Sequence, residues 1–166
     1  LGGLPKLQDN VIVIGYPQGG DKISITEGVV SRVEVTSYAQ SGRKLLTVQI
    51  NAAINPGNSG GPVIQECKLV GIAMQVFQSG QNIGYMIPIP IIEHFFNDLK
   101  DKEYDGFPMI GIEFDNTENS TLRKFYQIGD REGGVLINKV LPFSPAFVKL
   151  KEGDILLKVD DVAIGE

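Results

Sequence analysis

The sequence contains one cysteine, one histidine and no tryptophan. Cys67 alone cannot form an internal disulfide, so the fold does not rest on one. No dense Lys/Arg run interrupts a formal charge of −5, which argues against nucleic acid as a partner. No apolar stretch approaches the roughly 18 to 20 residues that span a bilayer, so no membrane span is expected. A signal-peptide pattern is also missing, and the first residue is Leu1 rather than Met, opening into a loop-like stretch. The sequence therefore reads as a piece of a longer protein, with its compartment left open. No cofactor and no metal are expected.

Glycine and proline, by contrast, are plentiful. Twenty glycines and nine prolines among 166 residues imply many turns, and 42% hydrophobic content supplies a core, which together favour a mainly β fold. Short β-branched runs follow one another: Val11 to Tyr16, Ile23 to Thr36, Leu45 to Ile50, Lys68 to Phe77 and Asn82 to Pro88. The second is expected to bend or bulge near Gly28. Five or six such strands in the first hundred residues fit one antiparallel barrel.

After Pro88 the period changes. Ile91, Ile92, Phe95, Phe96 and Leu99 recur at helical spacing, which predicts an amphipathic helix. The polar run Lys100 to Gly106 reads as helix end and linker, with a boundary near residue 103 dividing a 1–103 unit from a 104–166 unit. The second unit offers strands at Met109 to Phe114, Gly134 to Val140 and Asp154 to Val159, with a helical turn over Thr121 to Gln127. So few strands are marginal for an independent core, so this unit reads as truncated.

The segment Asn55-Pro56-Gly57-Asn58-Ser59-Gly60-Gly61-Pro62 places a serine among glycines that let the backbone turn sharply. In acyl transfer a serine oxygen attacks a carbonyl while backbone N–H groups hold the oxyanion, here those of Gly57 and Ser59 in the Gly57-Asn58-Ser59 stretch. Removing one such donor costs on the order of 3 kcal/mol of transition-state stabilisation. An ordinary turn is the competing reading, since Asn, Pro, Gly and Ser are all turn residues. A nucleophile elbow is another, because the segment satisfies G-x-S-x-G, but an elbow needs a helix after the serine, whereas Pro62 and the β-like Val63 to Phe77 oppose one.

Together with Leu69-Val70-Gly71-Ile72-Ala73, Ile83 to Pro88, Val11 to Pro17 and Thr26 to Ser31, this segment resembles the HtrA/Deg serine proteases over residues 7 to 100. Asn51, where many bacterial members carry Asp, brings the resemblance closer to the plant-type Deg branch. The resemblance implies a chymotrypsin-like, two-barrel protease of which this chain holds the second barrel, followed by a truncated α+β PDZ-like domain. It also implies that Ser59 is catalytic and that its His and Asp partners lie upstream, because the chain order in that fold is His, Asp, Ser. His94 follows the serine and falls on the helix, so it reads as a surface or packing residue. Cys67 reads as a small, partly buried hydrophobe.

By the same resemblance Ala53 lies at the floor of the pocket for the residue before the cut bond. The run Ile72 to Phe77, with Ile72, Ala73, Met74 and Gln75 as pocket residues, would offer a strand edge to an extended substrate, with an ordinary core and strand ladder as the competing reading. Met109, Ile110, Gly111 and Ile112 would form the carboxylate-capping loop and peptide-accepting strand of the PDZ part, with an ordinary strand as the competing reading. The expected function is ATP-independent endoproteolysis of misfolded or unstructured protein. The 166 residues by themselves are expected to be inactive, and the alternative is a catalytically inactive protease-like chaperone or PDZ peptide-binding protein. Implied partners are unfolded polypeptides, peptide C-termini and, at full length, trimer-based copies of the protein. The implied compartment is periplasm or cell envelope if bacterial, organelle or nucleus if eukaryotic.

Overall fold

The computed structural model describes residues 1–16, 21–38, 41–74, 83–128 and 133–164. The chain forms two compact units, Leu1–Gly106 and Phe107–Glu166.

Six strands build the first unit: β1 (Asn10–Gly15), β2 (Ser24–Ser37), β3 (Lys44–Ile50), β4 (Pro62–Gln65), β5 (Lys68–Met74) and β6 (Gly84–Pro88). All pair antiparallel in the order β1-β2-β3-β6-β5-β4, and β4 returns to β1 to close a barrel. Alternation along the strands turns Val11, Val13, Val30, Val48, Ile50, Val63, Val70 and Met86 inward, where they are almost wholly buried. β-branched side chains fit this interior because they are stiff at χ1 and fill a pleated surface. A smaller cluster gathers Tyr38, Met74 and Tyr85. The Tyr38 hydroxyl donates to the Leu46 carbonyl at 2.6 Å, and burial pushes its phenol up to about 12.

The strand expected to bend or bulge near Gly28 runs for 14 residues, and its register shifts just beyond that glycine, between Val30 and Arg32. Gly28 is needed for close approach: a Cβ there would collide with the backbone nitrogen of Ala52 and sit 2.5 Å from Asn51 Oδ1. Cys67 also departs from expectation. It is exposed at a two-residue turn between β4 and β5, where Glu66 and Cys67 have φ of 48° and 60°. Positive φ at both positions matches the twist of the paired strands, and it turns the thiol outward rather than into the core.

Helix α1 (Ile89–Asp98) starts on extended Pro88, with Pro90 in its first turn, and ends through a 3₁₀ turn, Leu99–Asp101. Ile89 alone on α1 is fully buried, whereas Phe96 keeps 64% of its surface exposed. The Asp98 carboxylate accepts from the Gly106 N–H at 2.8 Å, and His94 Nε2 lies 3.0 Å from the Gly106 carbonyl. His94 thus ties the helix to the residues that follow it.

In the second unit β7 (Ile112–Asn116), β8 (Val135–Val140) and β9 (Ile155–Leu156) form a three-stranded sheet in that order. A hairpin of β10 (Lys158–Val159) and β11 (Val162–Ala163) stands beside it in sequence. Helix α2 (Ser120–Phe125) is capped by Asn119, whose side chain accepts from the N–H groups of Thr121 and Leu122. Asn at this position satisfies donors that a helix start leaves open.

Candidate active site

Ser59 lies in the loop between β3 and β4, in a turn spanning residues 56–60. Gly57 has φ of 103° and Gly60 φ of 86°, so the serine is flanked by two residues in conformations that side chains resist. Gly61 has a different reason to be glycine, since a Cβ there would run into the Ile14 carbonyl at the end of β1. The glycines predicted to shape this loop therefore do so in two ways, by twisting it and by letting it sit against β1.

Four backbone hydrogen bonds hold that shape. Asn58 N–H donates to the Asn55 carbonyl at 2.9 Å and Gly61 N–H to the Asn58 carbonyl at 3.0 Å. Gly60 N–H donates to the Ala73 carbonyl, and Ala73 N–H donates to the Gly61 carbonyl, each at 2.8 Å. The result presents Ser59 on the exposed side and buries Asn58 almost completely. A strand, β4, follows the serine. That rules out the strand-to-helix turn on which a nucleophile elbow depends.

The segment leading into this loop is clamped from β2. Asn51 Oδ1 accepts from Val29 N–H at 2.7 Å, and the Thr26 hydroxyl donates to the Ala53 carbonyl at 3.1 Å. Ala53, expected at a pocket floor, is half-buried and held by that bond. Sequence reasoning passed over this clamp. Its trace was Gly28 itself, a glycine inside a β-like run, which signals close backbone approach as readily as a bulge.

Ile72 and Ala73 are not at a strand edge. Ile72 is paired with Pro62 on one side and Ile87 on the other, and both backbone groups of Ala73 bond to the serine loop. The cause is barrel closure, which places β5 between β4 and β6. Met74 is buried at the end of β5 and pairs with Tyr85, while Gln75 lies outside the described residues.

An open hollow of about 700 Å³ lies elsewhere on the barrel, lined by Asp9, Glu27, Asn51, Gln65 and their neighbours. There the Lys6 backbone N–H and the Gln65 amide hold the Asp9 carboxyl below its ordinary value. Neither Ala53 nor Ser59 lines it. Among the described residues no group of three or more His, Cys, Asp or Glu side chains could hold a metal ion. Nor, among them, is any helix long and apolar enough to cross a membrane.

In the second unit Met109 and Ile110 are exposed and Gly111 is buried at φ of 82°. A Cβ on Gly111 would sit 2.6 Å from Ser144 Oγ, and its carbonyl accepts from Leu141 N–H at 2.8 Å. Ile112 then begins β7, which pairs only with β8 among the described residues.

A family model described as a trypsin-like peptidase domain matches residues 2–72. Protease Do-like 4, mitochondrial, of Arabidopsis thaliana is 49% identical over 166 residues, covering 99% of this chain and 32% of its own length. Protease Do-like 2, chloroplastic, of the same plant is 49% identical over 171 residues, covering 99% of this chain and 28% of its own. A serine protease DegP homolog of Plasmodium falciparum is 46% identical over 140 residues, or 84% of this chain and 16% of its own. The chain thus spans about a third or less of these relatives' length. Among solved structures, the HtrA-type protease AlgW with tripeptide superposes with a TM-score of 0.69 at 24% identity, covering 97% of this chain and 56% of that one. The same protease with decapeptide gives 0.63 at 24% identity, covering 99% and 52%. These likenesses show a shared fold.

Proposed function

As a member of the Do-like (Deg/HtrA) serine protease family, this chain carries, we propose, the nucleophile half of a proteolytic active site, with Ser59 as the attacking residue. The supporting observation is the loop itself, in which an exposed serine stands between two left-handed glycines and the two residues after it, Gly60 and Gly61, bond to β5. In this reading the Ser59 hydroxyl attacks the scissile carbonyl while the N–H groups of Gly57 and Ser59 receive the oxyanion. A histidine from the remainder of the full-length protease takes the serine proton and passes it to the leaving amine, and water then releases the acyl group. The one histidine in this sequence, His94, is held against Gly106, which supports an external base.

An uncharged floor at Ala53 suits small or medium apolar side chains before the cut bond. The natural substrate class is unfolded polypeptide, presented in extended form and without ATP. We extend the reading to residues 107–166 as a PDZ-like unit, in which a peptide C-terminus would be capped near Met109 to Gly111 and would add as a strand to the open side of β7. The 166 residues alone are then inactive.

Casein cleavage by the full-length protease before and after Ser59→Ala tests the assignment. Activity should fall by at least ~10³-fold. Cleavage that survives the substitution at its original rate sinks Ser59 as the nucleophile.

A further inference from the structure

The residues on either side of Ala53 are anchored to two different strands. β3 is paired with β2 on one side and β6 on the other, and the chain leaving it at Asn51 leans on both. Towards β2, Asn51 N–H donates to the Val29 carbonyl at 3.2 Å and Val29 N–H donates to Asn51 Oδ1 at 2.7 Å. Towards β6, a Cβ on Gly84 would sit 2.6 Å from Ile54 Cδ1 and 3.0 Å from the Ala52 carbonyl oxygen, and Ile54 packs on the barrel core. Between these anchors the Ala53 carbonyl accepts from the Thr26 hydroxyl at 3.1 Å, across 27 residues of sequence. Thr26 lies four residues before Val30 on β2 and shares its face of the strand, on which Val30 is fully buried. Valine has nearly the shape of threonine and the same stiff β-branched packing, so packing alone does not call for a hydroxyl at position 26. What the hydroxyl adds is a fixed direction for one peptide. Because the peptide bond is planar and trans, turning the Ala53 carbonyl towards β2 sets the plane of the unit joining Ala53 to Ile54 and so restricts how the Ala53 methyl group is presented.

We propose that Thr26 is a positioning residue that sets the depth of the pocket for the side chain before the cut bond, acting through the Ala53 carbonyl. The inference rests on the reading of Ser59 as nucleophile and Ala53 as pocket floor. With the bond in place the floor stands at one height, and a side chain that fits it is favoured over one a methylene shorter or longer by about 10- to 200-fold. Without the bond Asn51 and Ile54 stay anchored, but the floor between them gains room to turn. Poorly fitting side chains are then tolerated, and well fitting ones lose contact. The serine loop from Asn55 onward keeps its own four hydrogen bonds. The chemistry at Ser59 is therefore unchanged, and the effect falls on selectivity.

The test compares Thr26→Val, Thr26→Ser, Ala53→Val and Ser59→Ala in the full-length protease. One readout is kcat/KM for chromogenic peptides that differ only in the residue before the cut bond, which is Ala, Val, Leu or Phe. The other is the rate at which a small fluorophosphonate, with no side chain to place in the pocket, labels the serine. Thr26→Val removes the hydroxyl at similar volume and should shrink the ratio between the best and worst peptide by about 5- to 10-fold, with the labelling rate within about 2-fold of wild type. Thr26→Ser keeps the hydroxyl and should hold that ratio within about 2-fold of wild type. An unchanged ratio in Thr26→Val, or a loss equal for every peptide and for the labelling rate, overturns the positioning role. So does a Thr26→Ser enzyme no closer to wild type than Thr26→Val. If Thr26→Val does not fold, Thr26→Ala is read by the same two measurements, and failure of both to fold assigns the hydroxyl to folding and overturns the proposal. Selectivity unaltered by Ala53→Val, or labelling that survives in Ser59→Ala, overturns instead the reading beneath it.

Discussion

The two units solve the same problem, short strands that must keep their backbone groups satisfied, in opposite ways. In the first, strands of 4 to 7 residues together with the long β2 close on themselves, so every strand has two neighbours. β1 alternates between exposed or half-buried and fully buried positions along its whole length. In the second, three strands form an open sheet in which four of the five β7 residues are exposed, and a few side chains such as Ile128, Leu136, Ile137 and Ala146 carry the burial. Closure lets a short strand such as β4 be stable without length, because its partners on both sides belong to the same core. Among the described residues β7 has a partner, β8, on one side only, which weakens it as structure.

The sharpest way to break this contrast is to delete side chains of similar size from each unit. Ile50→Ala, at a fully buried barrel position, should cost about 2–5 kcal/mol by urea denaturation. Phe114→Ala, on the exposed side of β7, should stay within about 0.5 kcal/mol. Equal costs would mean that β7 is as deeply packed as the barrel. Gly61→Ala should come next, at about 1–3 kcal/mol, since its methyl group meets the Ile14 carbonyl. Amide exchange should show that loss in β1 and β4 and not in β7 to β9. Asn119→Ala should cost about 1 kcal/mol through the lost α2 cap, and the same measurement should confine faster exchange to the second unit.

The smallest effect is a pH dependence that belongs to the barrel. Tyr38 is raised to about 12 by burial, against an unfolded value of about 10. The folded state therefore holds its proton longer. The contribution is complete below pH ~10 and declines as pH rises through about 12. Phenolate absorbance should show a tyrosine ionising late, and Tyr38→Phe should remove that late step.

The succession of strands in the first unit and the serine loop were legible because each rests on local chemistry: β-branched runs between turns, and glycines flanking a serine. What escaped was anything decided by a contact distant in sequence. The bulge expected near Gly28 falls just beyond it, between Val30 and Arg32, but the close approach that requires this glycine went unread because the neighbour, Ala52, lies 24 residues further on. Cys67 looked buried because cysteines usually are, but a two-residue turn outweighs that preference. The supposed strand edge at Ile72 and Ala73 followed from reading β5 without its closing partner. Asn58 was visible as a loop member, yet no sequence pattern states that its side chain points inward, since that depends on Gly15 making room.

Ala73 spends both of its backbone groups on Gly60 and Gly61 while its neighbour Met74 pairs with Tyr85. The serine loop and the end of β5 are thereby coupled in series, like two links sharing one pin. Any shift of Ala73 along the strand must drag Gly60 and Gly61 with it or break two hydrogen bonds.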